Sequence, residues 1–167
     1  FSLFESNMRS SYEANANARG RDGNHAGPGG WDPEEKKEEL FDDEARFLLL
    51  YPAKCQGETE EKTAAQRELL GFATFRFTVE PLHPSDPLNM HVVKRWGKIE
   101  VLYLYELQLS PALRGCGIGS ALMDLLVCLA RATHMRKLCL TVFKDNVGAK
   151  RFYERQGWSR DRISPGE

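Results

Sequence analysis

The chain has 167 residues, which is enough for one domain with a continuous core. Hydrophobic residues make up 41% and charged residues 28%, as in an ordinary globular protein. The formal net charge of -1 argues against a basic nucleic-acid-binding surface but leaves open a basic peptide as partner. No apolar run reaches the roughly 18 residues that a membrane span needs, and no signal peptide is visible.

The cysteines lack the spacing of a metal site. Cys55, Cys116, Cys128 and Cys139 form no C-x-x-C pair, and no histidine cluster accompanies them. This pattern predicts free thiols in a reducing compartment and no bound metal. Because the chain begins at Phe1 rather than Met, we expect it to be a fragment of a longer protein.

Two helices are predicted near the start of the chain. An apolar stripe at spacings of three and four predicts the first, through Phe1, Phe4, Met8 and Tyr12. Residues 19–30 are rich in glycine and polar residues and predict a flexible loop. Asp32 is placed to cap the second helix, with Pro33 at its first position and Glu35 where a capping-box acid belongs. We expect that helix to end near Phe41.

Three strands are predicted next, over residues 46–51, 69–79 and 99–109. Polar loops are expected between them, to about residue 67 and over 81–97. Alternation along the second strand separates two faces: Phe72, Thr74, Arg76 and Thr78 against Phe75, Phe77 and Val79. The third strand is apolar on both faces, which predicts a central position in the sheet.

The rest of the chain predicts helix, strand and helix. The first helix has the apolar stripe Ile118, Leu122, Leu125 and Leu129. A short buried strand is expected over 138–143, followed by a helix over 146–156 that Gly157 closes. This alternation predicts a mixed α/β sheet with one parallel pair.

The strongest chemical signal is Arg114-x-x-Gly117-x-Gly119 between a strand and a helix. Glycines let the backbone approach an anion closely, and the following helix N-terminus attracts negative charge. We interpret the loop as a pyrophosphate cradle. It lacks a Walker lysine and the full dinucleotide fingerprint, so a glycine-rich turn before an ordinary helix is the alternative.

A second motif follows one strand later: Asn146-x-x-Ala149-x-x-x-Tyr153, ending in Gly157-Trp158. Asn146 opens a helix, and Tyr153 lies two turns along on the same face. The two motifs in this order are far more specific than either alone.

Residues 98–158 resemble the GNAT acetyltransferases in their central strand, glycine loop, next strand and tyrosine helix. The resemblance implies acetyl-CoA as cosubstrate and one domain over 1–167. It also implies an α/β fold whose mixed, mostly antiparallel sheet has one parallel strand pair splayed at the cofactor site. The family's final strand would lie beyond Glu167. The implied cofactor-binding residues are Leu107, Leu109, Arg114, Gly115, Cys116, Gly117, Ile118, Gly119, Ser120, Asn146 and Tyr153.

Several segments further resemble NatD-type enzymes, the N-terminal acetyltransferases of histones H4 and 2A. They are 100–109, 140–144, Phe75-Arg76-Phe77, the Asn7-Met8 helix with Tyr12, and Trp31. The resemblance implies a histone tail as substrate, a monomer, and a cytoplasmic and nuclear location. It implies that Glu106 acts as base through water. The implied substrate-binding residues are Tyr12, Trp31, Thr78, Glu80, Tyr103, Tyr105 and Thr141.

Three positions depart from that pattern. Thr78 replaces an Asp, Gly29 replaces a Trp, and Tyr153 follows the general GNAT pattern where NatD usually has Phe. The first two favour an acetyltransferase of lysine side chains or small amines. A non-catalytic acyl-CoA-binding module is a further alternative, against which Glu106 and Tyr153 argue.

The catalytic expectations also have a chemical basis. A carboxylate in an apolar strand is costly unless it is paired, so a functional reason for Glu106 is favoured. A phenol stays protonated at neutral pH, so Tyr153 suits donation to the departing thiolate. For Tyr103 and Tyr105 the alternative is core packing, because aromatic residues are common in buried strands.

Overall fold

A computed structural model describes residues 1–19, 30–53, 68–81 and 98–164. Predictions on the loops at 20–29, 54–67 and 82–97, on Gly29 and on Cys55 lie outside these residues. The helices are α1 (Ser2–Arg19), α2 (Pro33–Leu40), α3 (Ile118–Ala132) and α4 (Val147–Arg155). The strands are β1 (Arg46–Leu50), β2 (Gly71–Pro81), β3 (Lys98–Leu109) and β4 (Lys137–Leu140), and a short 3-10 helix spans Pro111–Leu113.

The described strands form one sheet in the order β1-β2-β3-β4. Strand β3 pairs with β4 in parallel, with Val101 opposite Lys137 and Leu104 opposite Leu140. The predicted interior position of β3 and the single parallel pair are therefore confirmed. The prediction of a buried strand to residue 143 was wrong, since the residues of β4 are only partly buried and the strand ends earlier. β4 ends at Leu140 because the chain leaves β3 there and turns toward the cap of α4, while β3 continues to Leu109.

Two compact units divide the chain. Unit 1 comprises Phe1–Thr74 with Glu106–Cys116, and unit 2 comprises Phe75–Tyr105 with Gly117–Glu167. Strands β2 and β3 each pass from one unit into the other. The single domain over residues 1–167 stays a prediction.

The core of unit 1 forms around the apolar stripe of α1. Phe4, Leu40 and Phe72 are buried, and the partly buried residues packed on them include Phe1, Met8, Tyr12 and Trp31. The predicted stripe is confirmed. Helix α2 begins as predicted, because Asp32 Oδ1 accepts the amides of Glu34 at 2.9 Å and Glu35 at 3.3 Å.

The core of unit 2 includes Ile99, Val101, Leu102 and Leu104 of β3. On α3 the buried residues are Leu122, Met123, Leu126 and Ala130. The predicted stripe was therefore wrong in part, since Leu125 is 56% exposed and neither Ile118 nor Leu129 is fully buried. The helix carries apolar side chains around most of its circumference, so the spacing fits two stripes and tertiary packing selects between them.

Helix α4 has the predicted ends. Asn146 is its N-cap, and the side-chain Oδ1 accepts the amide of Ala149 at 3.1 Å. Gly157 follows the C-cap with φ +82°, the left-handed conformation that glycine adopts without strain.

Candidate active site

The glycine loop adopts a conformation that needs its glycines. Gly115 has φ +79° and Gly117 has φ +81°, and both values lie in the left-handed region. A Cβ at either position would meet no atom within 4 Å. Side chains are therefore disfavoured by the backbone conformation rather than by crowding, and the space beside both residues is open to a ligand.

The N-terminus of α3 presents amides without intrahelical partners. The first helical bond runs from the amide of Ala121 to the carbonyl of Gly117, at 3.1 Å. Ile118, Gly119 and Ser120 precede that bond, and the N-cap Gly117 supplies no side-chain cap. With the positive end of the helix dipole, this arrangement suits an anion such as a pyrophosphate.

Arg114 is exposed, and its guanidinium is anchored through one nitrogen. Nη2 donates to Oδ1 of Asn7 at 2.6 Å and to the carbonyl of Leu109 at 3.4 Å. A guanidinium carries five N–H groups, so Nη1 and Nε are left to bind a phosphate. The carbonyl of Leu109 also accepts from Asn7 Nδ2, at 3.1 Å.

Other residues of the loop and its flanks have fewer contacts. The thiol of exposed Cys116 lies 3.8 Å from the carbonyl of Arg114 and 3.9 Å from that of Ala112. Leu107 is half-buried on β3. Asn146 uses its side-chain oxygen for the cap of α4. For these residues, contact with the cofactor stays a prediction.

The Glu106 carboxylate is half-buried and paired. Nε2 of Gln108 donates to Glu106 Oε2 at 2.7 Å. Burial raises the pKa of Glu106 from 4.5 to about 7, the Gln108 bond and the charge of Lys36 oppose the rise, and Glu39 adds to it. A carboxylate with that pKa is substantially deprotonated near neutral pH yet basic enough to accept a proton, as general base catalysis requires.

Charged and aromatic residues of α1 and α2 surround this carboxylate in unit 1. Lys36 is only 7% exposed, and its Nζ lies 2.7 Å from Glu39 Oε2 and 4.8 Å from the Tyr12 ring centroid. Burial, then the charges of Glu106 and Glu39, raise the pKa of Tyr12. Tyr12 also packs against Trp31, with ring centroids 5.9 Å apart. Both predicted substrate residues thus belong to an aromatic cluster, and contact with substrate stays a prediction.

Unit 2 brings together the predicted tyrosines of β3. The rings of Tyr103 and Tyr105 lie 4.8 Å apart, and the Tyr103 hydroxyl donates to Thr141 Oγ1 at 3.4 Å. The guanidinium of Arg76 lies 4.8 Å from the Tyr105 ring centroid. Tyr105 is 45% exposed, so core packing does not account for it.

Thr78 and Glu80 share this tyrosine face. Burial alternates along β2, with Arg76, Thr78 and Glu80 half-buried and the residues between them exposed. Burial raises the pKa of Tyr103, and the charge of Glu80 raises it further, which places the carboxylate on the same side as the phenol. Here the structure groups residues that the sequence predicted separately.

Tyr153 is half-buried on α4. Its ring lies 5.0 Å from that of Phe152 and 6.4 Å from that of Trp158. These contacts fix the ring beside the C-terminal turn of the helix. Proton donation by Tyr153 stays a prediction.

Sequence reasoning assigned no role to Asn7, Gln108, Lys36 or Arg76. Gln108 carries the signal that identified Glu106, a polar side chain in an apolar strand, and it is buried. Lys36 gives no such signal, because its helix is charged throughout. Asn7 was noted only as part of a helix, and its contacts depend on tertiary structure.

The described residues contain neither a metal-binding cluster nor a membrane-spanning helix. Within 1–19, 30–53, 68–81 and 98–164, no three His, Cys, Asp or Glu side chains are grouped to hold a metal ion. None of the helices described is both long and apolar enough to span a bilayer.

The model of the acetyltransferase (GNAT) family matches residues 18–158. N-alpha-acetyltransferase 40 of Saccharomyces cerevisiae is 42% identical over 74 residues, which are 40% of this chain and 26% of that protein. The match thus spans about a quarter of the length of this curated relative.

Solved structures agree on the fold. A mutant protein from Bacillus halodurans aligns with a TM-score of 0.61 at 17% identity, over 100% of this chain and 91% of its own. A Pyrococcus furiosus protein described as an acetyl transferase aligns with a TM-score of 0.52 at 26% identity, over 80% and 75% of the two chains. The predicted fold is confirmed, and the chain belongs to the acetyltransferase (GNAT) family.

Proposed function

We propose that the protein transfers an acetyl group from acetyl-CoA to the N-terminal α-amine of a protein, with the tail of histone H4 or 2A that begins Ser-Gly-Arg-Gly as substrate. The identity with N-alpha-acetyltransferase 40 supports the substrate class. The observation that carries the proposal is the Glu106 carboxylate on β3, which accepts a hydrogen bond from Gln108 Nε2 at 2.7 Å, and burial raises its pKa to about 7. An α-amine, with a pKa of about 7.7–8.0, matches this base far better than a lysine amine at about 10.4. A histone substrate implies action in the cytoplasm and nucleus.

The proposed mechanism divides the work among few residues. Arg114 and the first amides of α3 hold the coenzyme pyrophosphate. As the α-amine attacks the thioester carbon, a C–N bond forms and the C–S bond breaks. Glu106 accepts the proton that the amine loses, directly or through one water. Tyr153 donates a proton to the departing thiolate.

The experiment that tests the proposal compares three substrates: a Ser-Gly-Arg-Gly peptide, the same peptide with a blocked N-terminus, and a lysine-bearing peptide with a blocked N-terminus. We expect acetylation of the first alone, located on the α-amine by mass spectrometry. Acetylation of the blocked lysine peptide would instead support the alternative, an acetyltransferase of side-chain or small amines. Thr78, neutral and half-buried on the tyrosine face, favours that alternative.

Replacing Glu80 with Gln is expected to lower kcat/KM for Ser-Gly-Arg-Gly by up to about fivefold, since a partly exposed ion pair contributes about 0.2–1 kcal/mol. The variant and the unmodified protein should acetylate Ser-Gly-Ala-Gly at nearly the same rate, because this peptide has no arginine to pair with Glu80. Glu100→Gln is the matched control, an exposed carboxylate on β3. Equal losses for both peptides would show that Glu80 does not read the basic residue.

Replacing Tyr153 with Phe is expected to lower kcat by about tenfold or less, below the roughly 10²–10⁴-fold usual for acid–base groups, because water can donate to the thiolate instead. The ring contacts with Phe152 and Trp158 do not use the hydroxyl and should persist in the variant, which thermal unfolding checks. The measurement is kcat with saturating acetyl-CoA. A loss greater than that of Glu106→Gln would make Tyr153 the principal proton-transfer group.

A further inference from the structure

A continuous chain of hydrogen bonds joins the cofactor loop to Glu106 within unit 1. Arg114 Nη2 donates to Asn7 Oδ1 at 2.6 Å, and Asn7 Nδ2 donates to Gln108 Oε1 at 3.0 Å. Gln108 Nε2 then donates to Glu106 Oε2 at 2.7 Å. Asn7 lies on α1, and its partners lie about a hundred residues further along the chain.

The direction of the chain follows from the chemistry of its ends. A guanidinium has donors and no acceptor, so Asn7 must turn its amide oxygen toward Arg114. The Asn7 nitrogen then faces Gln108 and can only donate, which turns the Gln108 oxygen toward it. As a result the Gln108 nitrogen faces Glu106, and it donates to the carboxylate. A hydrogen bond to a charged carboxylate is stronger than one to a neutral carboxyl, so this chain favours the deprotonated form of Glu106.

We propose that Asn7 is a positioning residue that couples Arg114 of the cofactor loop to the carboxylate of Glu106 through the amide of Gln108. This inference rests on the proposed function of Glu106 as the base. Asn7 has two tasks. Its oxygen holds the Arg114 guanidinium beside the glycine loop, and its nitrogen fixes the amide that keeps Glu106 ready to accept a proton.

Several other groups act on Glu106 and remain in place when Asn7 is changed. Tyr12 of α1 and Glu39 of α2 face it, and Lys36 of α2 supplies a positive charge. Burial is the main reason for the raised pKa of Glu106, and the Gln108 bond is the first of the opposing effects. Loss of that bond therefore raises the pKa further, while the remaining charges are unchanged.

The test is a double-mutant cycle with near-isosteric replacements, Asn7→Leu and Gln108→Met, read out as the titration of the Glu106 side chain by carbon NMR. Each single variant should move the Glu106 titration midpoint upward by about one pH unit, since hydrogen bonding to the charged form lowers a pKa. The double variant should move it no further, because Asn7 acts through Gln108. Additive shifts, or no shift in Asn7→Leu, would overturn the proposal.

Coenzyme A binding, measured by calorimetry, separates the two tasks of Asn7. Asn7→Leu should weaken binding several-fold, because Arg114 loses its 2.6 Å anchor. Gln108→Met leaves that anchor intact, and its Kd should stay within about twofold of the unmodified protein. Equal weakening in both variants would indicate a general loss of structure and overturn the coupling. Asn15→Ala is the control, because it also removes a side-chain amide from α1. It should change neither the Glu106 titration nor coenzyme A binding.

Rates provide an independent readout. Below pH 7, kcat/KM of Asn7→Leu should be up to about tenfold lower, and at high pH its kcat should approach that of the unmodified protein. If no peptide is acetylated while the NMR cycle gives the expected result, the proposed function fails and the coupling stands. If peptides are acetylated but Asn7→Leu leaves the Glu106 titration unmoved, the coupling fails and the proposed function stands.

Discussion

Replacing Glu106 with Gln is expected to lower kcat at pH 7 by about 10²-fold or more, within the usual range for acid–base groups. The amide keeps the shape of the side chain and can still bond to Gln108, but it cannot accept the proton of the attacking amine. Glu100→Gln on the same strand is the control and should leave kcat unchanged, because that side chain is exposed. Near-normal kcat in Glu106→Gln would exclude the carboxylate as the base.

The pH dependence tests the same role more closely. Because the pKa of Glu106 is about 7 and that of the peptide amine is about 8, kcat/KM of the unmodified protein should rise through pH 7 and level off above pH ~8. In Glu106→Gln this rise should be replaced by the ionisation of the peptide amine alone, near pH ~8. The loss of activity in Glu106→Gln should therefore be smaller at high pH, where the amine is already neutral. A constant loss from pH 6 to pH 9 would contradict a role in proton transfer.

Thermal unfolding provides the structural control for this variant. The pKa of Glu106 is raised from 4.5 to about 7, so the folded protein binds a proton that the unfolded chain has released between those values. Its contribution to stability is complete below pH 4.5 and is lost as the pH rises through 7. Gln mimics the neutral carboxyl, so Tm of Glu106→Gln should exceed that of the unmodified protein at pH 8. If Tm of Glu106→Gln were instead lower at pH 8, its loss of kcat would be explained by misfolding.

Sequence patterns correctly predicted the elements that depend on residues close together in the chain. The stripe of α1 and the Asp32 cap of α2 depend on residues close in sequence, and both are present. The stripe of α3 was partly wrong because the helix is apolar on more than one side, and contacts with the rest of unit 2 decide which side is buried. The predicted end of β4 was wrong because β4 leaves β3 after Leu140 although β3 continues to Leu109, and such pairing between strands is not visible in the sequence of one strand.

In the candidate site, too, some residues were predictable from the sequence and others depend on contacts between elements. Glu106 was recognisable because a carboxylate in an apolar strand requires a reason. Its partner Gln108 gave the same signal two residues later, but the amide of Asn7 that orients it comes from α1. The buried ammonium of Lys36 had no signal at all within a helix rich in charge. Such contacts arise between elements, and no rule of spacing within one element reveals them.

Replacing Gly117 with Glu is expected to abolish coenzyme A binding, with Kd raised by at least about 10²-fold, because three effects act together. A side chain would occupy open space beside the loop, where a Cβ would meet no atom within 4 Å. Its negative charge would stand at the positive end of the α3 dipole and repel the pyrophosphate. The backbone would also lose the residue type that suits φ +81°.

Gly157→Glu is the control for backbone strain, because it places the same side chain at a positive φ away from the glycine loop. Gly157 has φ +82° and equally open surroundings, but it follows α4 rather than preceding α3. Each substitution should cost about 1–2 kcal/mol of stability, since both place a side chain in the left-handed conformation. Only Gly117→Glu should lose coenzyme binding by calorimetry. Unchanged binding in Gly117→Glu, or an equal loss in Gly157→Glu, would refute the glycine loop as the pyrophosphate site.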